Sequence, residues 1–114
     1  MSRGILRVFD DPRLRESEAL SFRAEQARDK GDHPGACALY AQAAEGAEAV
    51  ARAVPLSLPR TRGLLARSAV ALLYKGCKYA EAVMLADHFL ADEGADPGFR
   101  REIEGLRGKC AALR

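Results

Sequence analysis

Apolar positions along this chain recur at helical spacing in separate stretches, with glycine and proline between them. The clearest stretch begins near His33, where Ala36, Leu39, Tyr40, Ala43, Ala47, Val50 and Val54 recur every three or four residues. That spacing lays them along one stripe of a helix reaching about Ala53. The segment Pro55-Leu56-Ser57-Leu58-Pro59 ends it, because two prolines in five residues cannot continue a helix. Upstream, Asp11-Pro12 reads as a capping carboxylate followed by proline in a first turn. The helix it starts should reach about Lys30, with Leu20, Ala24 and Ala27 on one face, until Gly31-Asp32 stops it. Asp32 can cap the next helix, and Pro34 suits its first turn. Residues 1–10 are left as a short arm with an apolar cluster, Ile5, Leu6, Val8 and Phe9.

Downstream, Thr61 is available to cap a third helix reaching about Lys75. Its Leu64, Leu65, Ala66, Ala69, Val70, Ala71, Leu72 and Leu73 are apolar nearly all round, so it should sit centrally with neighbours on several sides. After Gly76-Cys77 a fourth helix carries Tyr79, Ala82, Val83, Ala86, Phe89 and Leu90. Glu93-Gly94 ends it, and Asp96-Pro97 starts a fifth. Phe99, Ile103, Leu106, Cys110 and Leu113 then form a narrow stripe, as expected of a closing helix docked by one face. The expectation is an all-α domain over residues 11–114, of about five helices in stacked antiparallel hairpins.

Composition supports that reading. Apolar residues make up 48% of the 114 positions and charged residues 30%, so the chain should be globular, and its length fits one domain. Trp is absent and aromatics are only 6%, which disfavours a sandwich or barrel. The net charge of +2 is too small to argue for a nucleic-acid partner. No apolar run is long enough for a signal peptide or membrane span, so no membrane partner is expected and a cytoplasmic location is the default.

Three cysteines, Cys37, Cys77 and Cys110, and two histidines, His33 and His88, are scattered along the chain with no Cys-x-x-Cys pair. A disulfide framework or zinc site is not expected. Cys37 and Cys110 should be structural and Cys77, in a turn, exposed. Ser17, Ser21, Ser57 and Ser68 have no nucleophile motif or adjacent histidine, and the glycines form no phosphate loop. Neither catalysis nor a cofactor is expected.

Two stretches resemble the tetratricopeptide repeat family. The first is Ala24-x-x-Ala27, Lys30-Gly31-Asp32 and Ala36-x-x-x-Tyr40-x-x-Ala43. The second is Tyr79-x-x-Ala82-x-x-x-Ala86-x-x-Phe89, with Cys77 where that family usually has glycine and Ala86 where it usually has an aromatic. Ala36 and Ala82 are 46 residues apart, against a usual period of about 34, so a regular array is not implied. Small microtubule-interacting-and-trafficking domains are also similar, at the Gly31-Asp32 hairpin and the last helix. Both resemblances imply a module that binds another protein or a peptide.

Charge adds a candidate surface. From Pro55 to Lys78 there are five bases, Arg60, Arg62, Arg67, Lys75 and Lys78, and no acid; from Tyr79 to Asp96 there are five acids and no Lys or Arg. Arg60 and Arg62 fall at a helix start, where positive charge costs roughly a few tenths of a kcal/mol each. Either salt bridges to the acidic fourth helix or an external anionic ligand would account for them. In tetratricopeptide proteins the first helix of each hairpin lines a concave groove, which by resemblance puts Arg23 and Arg67 near it, with Arg60 on the side of Arg67. Arg23, Arg60, Arg62 and Arg67 are therefore the candidate partner-binding residues. The expected function is an adaptor that holds a peptide or helix, of acidic character, in a groove. The alternative is a structural subunit that self-associates into a homo-oligomer.

Overall fold

A computed structural model describes residues 8–114; Ile5 and Leu6 of the expected arm lie outside the described residues. Among the described residues five α-helices follow one another, α1 (Pro12–Asp29), α2 (His33–Ala53), α3 (Pro59–Lys75), α4 (Tyr79–Leu90) and α5 (Pro97–Leu113), with no strand. Three of them start as expected. Asp11 accepts the Arg13 N–H at 2.9 Å, Asp32 the Gly35 N–H at 2.9 Å, and Asp96 the Phe99 N–H at 3.1 Å. Each carboxylate satisfies one of the orphan donors of a helix N-terminus.

The start of α3 differs. The helix begins at Pro59, and its cap residue Leu58 makes no side-chain hydrogen bond, so Thr61 lies inside the first turn instead of capping it. Proline explains the shift: its φ is already helical, and at the first helical position its missing N–H is not needed.

The ends of α1 and α3 are closed in the same way. Gly31 takes φ +84° and donates to Arg28 C=O, while the Asp32 N–H reaches Ala27 C=O. At the corresponding turn Cys77 takes φ +61° and donates to Tyr74 C=O, while the Lys78 N–H reaches Leu73 C=O. This is the Schellman arrangement, whose left-handed residue is usually glycine. A residue with a Cβ pays about 1–2 kcal/mol for that conformation.

α1 packs on α2, α2 on α3, and α4 and α5 on each other and on α3. α3 thus has three helical neighbours, the central place expected of it. The molecule is 18 Å across its thinnest direction, enough for two layers of helices whose axes pack about 8–10 Å apart. Small residues bring α1 and α2 together: Ser17 Oγ donates to Ala43 C=O at 2.7 Å, and a methyl on Gly46 would lie 2.7 Å from the Arg13 carbonyl oxygen. Leu14, Val50, Val54, Leu65, Val70, Leu73, Val83, Leu85, Phe89 and Ile103 belong to the main core. Ala24, Ala36 and Tyr40, residues of the first repeat-like stretch, form a second, smaller cluster joined by Ala27 and Leu39.

Three expectations about side chains need correction. Leu72 is half-buried instead of enclosed, because α3 leaves one flank uncovered. Leu113, in the last turn of α5, is 54% exposed, beyond the reach of the helices that bury Ile103 and Cys110. Cys37 is also half-buried, and its Sγ sits 2.9 Å from that of Cys77. Val8 of the expected arm packs against the main core.

A candidate partner-binding groove

α1 and α3 both rest on α2 but scarcely touch each other, so a trough runs between them. Its floor is Leu14, Ser17 and Ala47. The α1 wall carries Glu18, Phe22 and Glu25, and the α3 wall carries Leu64, Arg67, Leu72 and Lys75, with Phe9 also lining the space. One wall is therefore acidic and the other basic, with apolar surface between them. Phe22 is 62% exposed and Phe9 44%, although both are aromatic. Exposed apolar side chains gathered in one trough with a polar rim are the usual mark of an interaction surface. A second cleft between α3 and α5, lined by Glu102, Gly105, Leu106 and Lys109, shares Arg67 and Ala71 with the first.

The four candidate arginines do not converge. Arg67 lines both clefts; its Nη1 donates to Glu102 at 3.1 Å, and its guanidinium carbon lies 5.2 Å from the centre of the Phe99 ring. α5 therefore holds Arg67 in place at the groove. Arg60 is exposed and, among the described residues, makes no ion pair. Arg23 faces a different depression, between α1 and α2, beside Glu16 and Glu45. Concavity does not bring it to Arg67, because the depression that Arg23 lines and the trough that Arg67 lines lie on different sides of α1.

Arg62 points inward. Its Nε donates to Asp92 at 2.6 Å and its Nη1 to the Val54 carbonyl at 2.8 Å, with longer contacts to the carbonyls of Ala51 and Arg52. The guanidinium also lies 4.8 Å from the centre of the Phe89 ring. The last carbonyls of α2 have no partners within their own helix, and Arg62 supplies them. Its charge is thus consumed inside the fold.

The contrast between the basic and acidic segments resolves accordingly. Only Arg62 and Asp92 join the two segments among the ion pairs of the described residues. Asp87 of α4 pairs instead with Arg107 of α5, whose guanidinium holds its carboxyl below the usual carboxylate range. Lys75 lies 5.5 Å from the centre of the Tyr40 ring, beside the groove.

The acidic wall was missed from the sequence, though a signal was there. Glu18, Ser21, Phe22 and Glu25 stand at i, i+3, i+4 and i+7, one helical face on which an aromatic sits among acids. A core-facing stripe would not carry those charges.

Among the described residues no three His, Cys, Asp or Glu side chains gather where one metal ion would hold them, and no helix is long and apolar enough to cross a membrane. No family model, no curated protein and no solved structure matches the chain, so the groove is read from its own geometry.

Proposed function

We propose that the protein is a non-catalytic interaction module whose α1–α3 groove takes a helix or extended segment of another protein. The observation that carries this reading is the trough itself, where Phe22 and the open flank of Leu72 lie between an acidic and a basic wall. A ligand with an apolar anchor over Phe22 and Leu72, and acidic residues toward Arg67 and Lys75, suits the basic wall. Glu18 and Glu25 add a preference for bases along its other edge, which fixes the direction in which it lies. Rim charges of this kind set specificity and association rate more than affinity. Mixed charge also leaves no continuous basic stripe to follow a phosphate backbone. The likeness to tetratricopeptide hairpins belongs to this reading, since it would put α1, α3 and α5 on the ligand side; a cytoplasmic location belongs to it too.

The test is selection of peptides from a displayed random library on the purified protein, followed by binding measurements on synthetic peptides. Phe22→Ala should weaken the selected peptides roughly tenfold or more, as expected for a central aromatic anchor. Met84→Ala should leave them unchanged, since Met84 is 71% exposed but lies on α4 outside the groove. Equal effects of the two substitutions would sink the proposal. If light scattering instead shows a dimer that Phe22→Ala abolishes, the groove belongs to a second copy of the chain.

A further inference from the structure

The turn after α3 repeats the turn after α1 with one change of residue. Gly31 and Cys77 hold the same place, each left-handed and each closing a Schellman pair of hydrogen bonds. Glycine serves that position without strain, and the Cys77 side chain is exposed, so packing does not account for the cysteine. What its side chain meets is Cys37, in the second turn of α2, with one thiol donating to the other at 2.9 Å. The close approach is built into the backbone. A methyl on Gly76 would lie 2.8 Å from the Ala41 nitrogen, so the turn sits directly on α2, one helical turn from Cys37.

We propose that Cys37 and Cys77 are a dithiol that closes reversibly to an intramolecular disulfide, tying the first hairpin to the second. The oxidant is a low-molecular-weight disulfide. The Cys77 thiolate, the exposed one, attacks a sulfur of that disulfide; an S–S bond breaks and one small thiol leaves with the proton Cys77 lost. Cys37, as its thiolate, then attacks Cys77 Sγ, releasing the second small thiol with the second proton. The protein loses two hydrogens and the small disulfide is reduced to two thiols. The order follows from access, Cys77 being exposed and Cys37 half-buried, where its hydrogen bond with Cys77 and then burial push the Cys37 thiol up. Cys110 takes no part, being fully buried.

The test uses the whole chain and oxidised glutathione. Intact mass should fall by about two hydrogen masses with no glutathione retained, and peptide mapping should join Cys37 to Cys77. The melting temperature should rise by on the order of 10 °C, as expected when a crosslink closes a loop of this length in a small domain. Cys37→Ser should instead keep one glutathione on Cys77, because the resolving thiol is gone. Cys77→Gly should melt higher than the reduced parent and show no oxidative shift. A persistent adduct on the unsubstituted chain, a disulfide-linked dimer, or no reaction would each overturn the proposal. So would a lower melting temperature for Cys77→Gly, which would make the thiol a structural element of the turn.

Discussion

Arg62 and Asp92 meet at 2.6 Å across 30 residues of sequence, with side chains only 11% and 16% exposed, and the pair bolts three segments together. Arg62 belongs to the first turns of α3, Asp92 follows α4, and Arg62 Nη1 closes the end of α2. Removing one partner leaves the other charge poorly solvated. Arg62→Ala or Asp92→Ala should therefore cost about 3–5 kcal/mol in urea unfolding, the range for breaking a buried pair. A loss below about 1 kcal/mol, the level of surface pairs, would show that water screens this one.

Two glycines should respond to alanine with opposite signs. At Gly46 a methyl would meet the Arg13 carbonyl oxygen at 2.7 Å, and backbone cannot yield as a side chain can. Gly46→Ala should lose about 1–3 kcal/mol through overpacking, more than its better helix propensity returns. At Gly108, inside α5, a methyl meets nothing within 4 Å. Gly108→Ala should gain about 0.5–1 kcal/mol. Thermal unfolding of the two variants decides the matter, and a gain at Gly46 would mean that α1 and α2 are not so closely docked.

Adjacent leucines on α3 divide stability from binding. Leu73 is 8% exposed in the main core, so Leu73→Ala should cost about 2–5 kcal/mol. Leu72 faces the groove with one flank open, so Leu72→Ala should cost less than its neighbour while weakening any groove ligand. Equal stability losses, with ligand affinity unchanged, would show that Leu72 is simply core.

The Asp87–Arg107 pair should give the docking of α5 a dependence on acid. The carboxyl has a folded pKa below its unfolded value because Arg107 donates to it. Its contribution is thus fully present above the unfolded carboxylate pKa, near 4, and is lost as pH falls through the folded value. Urea midpoints measured from pH 6 to pH 2 should fall less steeply for Arg107→Ala than for the parent, and high salt should shrink the difference. Parallel curves at low salt would remove the pair from the account.

The local features of this chain were legible in its sequence. A capping aspartate, a proline in a first turn and an apolar residue every third or fourth position act within one or two helical turns. Asp11, Asp32 and Asp96 could accordingly be read as helix starts without knowing what the helices touch. Even the miss at α3 was local, since Pro59 outranks Thr61 as a start for a reason contained in its ring. The centrality of α3 followed from its all-round apolar surface.

Tertiary structure decided where each charge and thiol went. Arg60, Arg62 and Arg67 are close in sequence, yet one is exposed, one points into the fold and one is steered to the groove by α5. A helix turns its residues about 100° apart, so neighbours in sequence meet different surroundings. Arg62 reaches Asp92, and Cys37 reaches Cys77, across 30 and 40 positions. Such pairs depend on how far apart the helix axes lie and at what angle they cross, which the packing of small residues such as Gly46 and Gly76 sets. The same spacing opens the trough between α1 and α3 and leaves Phe22 uncovered, because α2 reaches both helices and they scarcely reach each other.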